Sequence, residues 1–180
     1  MNNSAVVEQA EKYVKKLFYE KSPAENIYHD LKHTVKVVET TNIIGEETGL
    51  SSKEMEVALV SAWFHDVGYF DIIDEHEDKS VEYVLEFLNA VDVEDKFKEK
   101  VKSCILATKI PQTPKSIVEK VVCDADLHHL GNKNFFDKNH QDSLELIDYQ
   151  GLVVDKIFWA QRRKFLVVIF DFITAKIDYD

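Results

Sequence analysis

The spacing of apolar residues constrains this chain most. It repeats at three and four positions almost from end to end, the period of a helix with one buried face rather than the alternation of a strand. Val6, Val7, Ala10, Tyr13, Val14, Leu17 and Phe18 form one such stripe over about Ser4–Tyr19, closed by Lys21-Ser22-Pro23. A second helix is expected over Leu31–Glu47, with Gly49 at its exit. Ser51 and Glu54 fit a capping box. That box opens a helix through Val57, Leu59, Val60 and Phe64 that should end near Gly68. Another helix begins near Glu77 and runs through Val81, Val84, Leu85 and Leu88, and Asp92 is placed to cap the next, through Phe97, Val101, Ile105 and Leu106. Ile110-Pro111-Gln112-Thr113-Pro114 breaks the pattern. Ile117, Val118, Val121 and Val122 resume a short helix, Gly131-Asn132 is a turn, and helices are expected over about 136–149 and 158–175. The aromatic residues of that last stretch, Phe136, Phe158, Trp159, Phe165, Phe170 and Phe172 among them, read as core.

Five Gly and three Pro in 180 residues are few for a loop-rich β protein. With no repeat or linker, the expectation is one all-α domain over 1–180, its motifs within 28–130 and C-terminal helices (134–176) packed on them. A net charge of −11 argues against a broad contact with polymeric nucleic acid or a membrane surface, but leaves room for a small local anion site. Cys104 and Cys123 sit in apolar runs and read as buried free thiols. No basic segment leads into a long apolar one, and the run Val57–Phe64, interrupted by Ser61, is too short to span a bilayer, so a cytoplasmic location is expected.

The histidines and carboxylates carry the chemistry. His65-Asp66 ends a helix whose preceding turns are nearly all apolar, and burying such a pair is costly unless both side chains find partners. A divalent metal would satisfy both, since imidazole nitrogen and carboxylate oxygen are ordinary ligands for transition metals. The dipeptide alone fits helix capping equally well. Asp124-Ala125-Asp126 closes another apolar run, where a carboxylate serves either as a ligand or as a cap. His29 and His33 stand four apart on one helical face.

In this order, Tyr28-His29-Asp30-x-x-His33-Thr34, Ala62-Trp63-Phe64-His65-Asp66-Val67-Gly68-Tyr69 and Cys123-Asp124-Ala125-Asp126-Leu127 resemble the HD superfamily of metal-dependent phosphohydrolases, over about 28–175. The resemblance implies an all-helical fold and a divalent metal (Mn, Fe, Co, Ni, Zn or Mg) held by His33, His65, Asp66 and Asp126. The reaction it implies is hydrolysis of a phosphomonoester or phosphodiester by a water whose pKa the metal lowers. Two imidazoles and two carboxylates suit that role, because they leave positions for water and substrate.

Ten residues past Asp66, His76-Glu77-x-x-Ser80 resembles the start of the next helix in many HD proteins. His76 is a candidate catalytic residue beside Asp66, as a proton donor, phosphate contact or ligand of a second metal. His76 is the sole His between Asp66 and Asp126, which favours one tight metal site, with a second open only if Asp66 bridges. Lys109 joins the catalytic candidates as a neutraliser of phosphate, and His29, Lys32 and Glu77 are candidate substrate contacts. His128, His129 and His140 read as surface or helix-end residues.

Three departures narrow the substrate. Tyr69-Phe70 stands where guanosine-tetraphosphate hydrolases of the superfamily carry Glu-Asp, Tyr69 replaces the Glu of its deoxynucleoside monophosphatases, and the Gly-Tyr-Pro of the cyclic-dinucleotide branch is absent. The expected partner is a small phosphorylated substrate, a nucleotide in first place, and a homodimer stays open. A regulatory module that binds metal and nucleotide without turnover is the alternative, and a two-iron oxygenase is disfavoured by the single intervening His.

Overall fold

The computed structural model describes residues 4–21 and 31–128. Among them the order is α1 (Ala5–Lys21), α2 (Leu31–Glu47), α3 (Ser52–Phe64), a 3-10 turn (Val67–Phe70), α4 (His76–Ala90), α5 (Asp95–Ala107) and α6 (Ile117–Asp126). These helices belong to one compact unit that runs to Asp126. The all-α class is as the periodicity predicts. The helices expected over 136–149 and 158–175, with their aromatic residues, lie outside the described residues, as do His29, His129 and His140.

α3 is the central element. Every residue from Val57 to Phe64 is buried, and the helix packs against α1, α2, α5 and α6. A helix apolar on all sides has to be surrounded in this way. Ser61 escapes the cost of a buried hydroxyl by donating to the Val57 carbonyl at 2.7 Å. The Ser51–Glu54 capping box forms as expected and fixes where α3 starts. Tyr13, Phe64 and Phe87 meet in the core with ring centroids 5.2–5.7 Å apart, joining α1, α3 and α4. Cys104 and Cys123 are buried free thiols.

Two boundaries differ from expectation. α3 stops at Phe64 rather than near Gly68, because Asp66 leaves helical geometry (φ −110°, ψ 2°) and a 3-10 turn follows. Asp92 does not cap α5: it sits in the left-handed region (φ 54°), and α5 begins only after Glu94. Asp is among the residues that tolerate that conformation, so Asp92 makes the turn and not the cap.

One opening signal went unread. Ser116 Oγ accepts the Glu119 backbone N–H at 3.2 Å, and Glu119 Oε2 accepts the Ser116 N–H at 3.1 Å. This second capping box starts α6, and Glu119 also accepts from Ser103 on α5 at 2.7 Å.

No helix among the described residues is long and apolar enough to cross a membrane.

Candidate metal centre

Three helices deliver the site, and small residues let them meet. Val37 of α2, Ala62 of α3 and Ala125 of α6 form a separate buried cluster. Alanine at two of these places allows close helix approach. His33 lies one turn before Val37, His65 one turn after Ala62, and Asp126 beside Ala125, so the crossing carries all three polar groups to one point. The break at Asp66 adds the fourth: past Phe64 the backbone no longer separates neighbouring side chains by a helical step, and His65 and Asp66 converge.

The convergence is tight. His65 Nε2 is 3.0 Å from Asp66 Oδ2 and 3.6 Å from Asp126 Oδ1. His33 Nε2 is 3.4 Å from each of Asp66 Oδ2, Asp126 Oδ1 and His65 Nε2. Two donors about 2.1 Å from one cation and about 90–110° apart stand about 3.0–3.4 Å from each other. The observed separations therefore match a shared coordination sphere. His33, His65 and Asp66 form a group able to hold a metal ion.

Proton positions agree. His65 Nδ1 faces the Ala62 carbonyl at 2.9 Å, and a carbonyl can only accept, so Nδ1 carries the hydrogen. Nε2 of the neutral ring then points its lone pair into the cluster, the orientation that metal-binding histidines take from a backbone partner.

The electrostatics show that the cluster calls for positive charge. Burial by itself pushes His33 down, yet its hydrogen bonds to Asp126 and Asp66 outweigh this and lift the imidazole to about 8. His65 is wholly buried and is still held well above its ordinary value, because burial is outweighed by Asp66 and Asp126. Burial likewise raises Asp126, but bonds from His33 and His65 bring it to about 2. A dication would supply the same charge without protons, with neutral imidazoles and ionised carboxylates as ligands.

The other expected residues fall around this group. His76 opens α4, with Nε2 3.5 Å from Asp66 Oδ1 and 3.4 Å from Glu77 Oε1. Its Nδ1 faces the Ile73 carbonyl at 3.1 Å, and Tyr69 stacks on its ring at 3.6 Å between centroids. Glu77 is buried at this spot. Lys109, at the end of α5, pairs with Asp78 in the first turn of α4. Lys32 is exposed, one residue from His33. His128 is exposed, and Asp124, in the last turn of α6, is pushed up to about 6 by burial.

Three contributors were not singled out in the sequence. Tyr69 was noted only as a departure, and its role as the plate behind His76 needs the fold. Gly68 and Ser80 lock the turn after Asp66 to α4: Gly68 N–H donates to Ser80 Oγ at 2.9 Å. A Cβ on Gly68 would lie 1.9 Å from the His76 carbonyl oxygen, so glycine is required by close approach. Gln112, inside the proline-flanked break, donates from Nε2 to Asp126 Oδ2 at 3.2 Å.

The HD domain family model matches residues 30–131, more than half of the chain. The fold is similar to a crystal structure, at 1.45 Å, of a predicted HD superfamily hydrolase from an uncultured Thermotogales bacterium, with TM-score 0.57 and 19% identity over 95% of this chain and 90% of that one. Among curated proteins no match is found. The family match spans His33, His65-Asp66 and Asp126, the residues that the three helices bring together, and the chain belongs to the HD domain family.

Proposed function

We propose that this chain is a metal-dependent phosphohydrolase that cleaves a phosphomonoester or phosphodiester of a nucleotide or another small phosphate ester. The observation that carries the reading is the meeting of His33, His65, Asp66 and Asp126 from three helices, with separations of 3.0–3.6 Å. In this reading those four hold one divalent cation, of the Mn, Fe, Co, Ni, Zn or Mg class. The bound cation supplies Lewis acidity, lowering the pKa of a water and neutralising charge on a phosphoryl oxygen.

The chain's own residues do the rest. Ala62 O fixes the tautomer of His65. Tyr69 and the Ile73 carbonyl hold His76 with Nε2 toward Asp66, where it can give a proton to a leaving oxygen or hold a phosphate oxygen. Glu77, beside that nitrogen, keeps its orientation and contacts substrate. Lys109 brings positive charge to the loop that carries Gln112, and Asp78 places it there. Lys32 and His29 are the remaining proposed substrate contacts. A cage for one dication beside few cations suits a small phosphate better than a polyanion, in keeping with the net charge of −11.

The second reading is a module that binds metal and nucleotide without turnover. Engagement of Lys109 by Asp78 favours it, because that charge is already compensated. The test loads the protein with Mn, Co, Ni or Mg and measures hydrolysis of generic phosphomonoesters and phosphodiesters. Metal-dependent turnover that disappears in Asp66→Ala supports the enzyme. Nucleotide binding without turnover supports the module, and a folded protein that takes up no metal removes both.

A further inference from the structure

Gln112 is the one side chain of the loop between α5 and α6 whose described hydrogen bond reaches a proposed metal ligand. The loop holds it firmly in place. At one end Lys109 pairs with Asp78, and in the middle the Thr113 N–H donates to the Ala107 carbonyl at 3.4 Å. At the other end the Lys115 and Ser116 N–H groups both donate to Glu119 Oε2. The amide is thereby presented to Asp126 by backbone and ion-pair contacts on both sides.

Its orientation is fixed by chemistry. A carboxylate only accepts, so the atom facing Asp126 Oδ2 must be Nε2. The same orientation leaves Gln112 Oε1 buried with no hydrogen-bond partner. A buried acceptor left unpaired costs stability, and such a group asks for a functional explanation. On the other side of the carboxylate, Asp126 Oδ1 faces both His33 and His65. The two oxygens therefore have separate duties.

We infer that Gln112 is a positioning residue of the metal centre: by taking Asp126 Oδ2 it restricts that residue to one-oxygen ligation through Oδ1 and ties the α5–α6 loop to cation binding. The inference rests on the reading that His33, His65, Asp66 and Asp126 hold a cation. Residues that orient a metal ligand in this way typically change metal affinity about 10–100-fold when removed.

The experiment titrates the metal-free protein with Co(II), reading both affinity and the d–d bands, which report coordination geometry. Gln112→Met keeps the length of the side chain and loses the donor, Gln112→Ala serves if Met strains the loop, and Thr113→Ala controls for a neighbouring change. The expected result is Co(II) affinity weakened at least tenfold in both Gln112 variants, with altered d–d bands and an unchanged urea midpoint of the metal-free protein. Thr113→Ala should match the unsubstituted protein. Affinity within threefold and unaltered bands in the Gln112 variants would overturn the inference, and so would a loss that tracks a lowered urea midpoint. Failure of the unsubstituted protein to bind Co(II) would instead remove the proposed function on which the inference rests.

Discussion

Replacing Gly68 with Ala tests the joint between the His65-Asp66 turn and α4. The added Cβ would stand 1.9 Å from the His76 carbonyl oxygen and 2.8 Å from both the His76 carbonyl carbon and the Ser80 nitrogen. All of these are backbone atoms, so no side-chain rotation relieves the contact. A carbon and a carbonyl oxygen approach no closer than about 3.3 Å, which requires a backbone shift of more than about 1 Å. Such a shift opens the 2.9 Å bond from Gly68 N–H to Ser80 Oγ and carries His76 away from Asp66, now 3.5 Å away. Overpacking costs about 1–3 kcal/mol, and a buried donor left unpaired about 1–3 kcal/mol. The sum, about 2–5 kcal/mol, is a large part of the roughly 5–15 kcal/mol that keeps a domain folded. Urea unfolding of Gly68→Ala should show a lowered midpoint with an unchanged slope. Turnover, where it survives, should fall about 100-fold, as expected for a catalytic group displaced by about 1 Å. Ser80→Ala isolates the hydrogen bond and should cost about 1–3 kcal/mol without the steric part. A Gly68→Ala protein within about 0.5 kcal/mol of the original and equally active would refute this reasoning, since changes that small are what an ordinary surface site gives.

The helix crossing beneath the site makes a second prediction. Ala62→Leu should cost about 1–3 kcal/mol by overpacking and weaken metal binding by pushing α2 from α3, which calorimetric titration of metal into folded variant would show. Glu119 should make stability acid-sensitive. Burial alone would raise its carboxyl, yet hydrogen bonds from Lys115, Ser103 and Ser116 hold it below the ordinary value. Its contribution is therefore present above the unfolded-state value near 4.5 and is lost as pH falls through the lower folded-state value. Glu119→Gln should flatten that part of the stability–pH curve, and removing the capping box with Glu119→Ala should cost about 1 kcal/mol at neutral pH. Lys109→Ala breaks an exposed pair and should change stability by less than about 1 kcal/mol. If Lys109 meets the phosphate as proposed, kcat/KM should nevertheless drop at least tenfold, and an unchanged kcat/KM would take it out of the substrate-binding set.

Much of this fold was legible because its signals are local. The stripe over Val7, Ala10, Val14, Leu17 and Phe18 is the buried face of α1, and Ser51 with Glu54 marks the start of α3. His33, His65, Asp66 and Asp126 stood out because polar groups at the ends of apolar runs need partners. The rest depends on contacts between segments distant in sequence. Nothing near Gln112 says that its amide reaches Asp126, since the approach is made by a loop whose path α4 and Glu119 help to set. Gly68 is an ordinary glycine in the sequence, and only the nearness of the His76 backbone makes it obligatory. Asp92 misled for a physical reason: Asp suits both a helix cap and a left-handed turn, and here the turn won. Ser116-x-x-Glu119 was open to the same reading as Ser51-x-x-Glu54, but Pro114 and the short apolar run behind it drew attention to the break instead.

Metal stoichiometry tests the central claim most directly. The protein, freed of metal by chelation and then dialysed against Mn, Co or Ni in turn, is analysed for metal per chain beside His65→Ala and Asp66→Ala variants shown by circular dichroism to remain helical. The account predicts close to one tightly held equivalent per chain for at least one of these ions, and its loss in both variants, because each removes a donor from the group formed by His33, His65 and Asp66. A folded protein that retains no divalent cation, or variants that retain as much as the original, would contradict it.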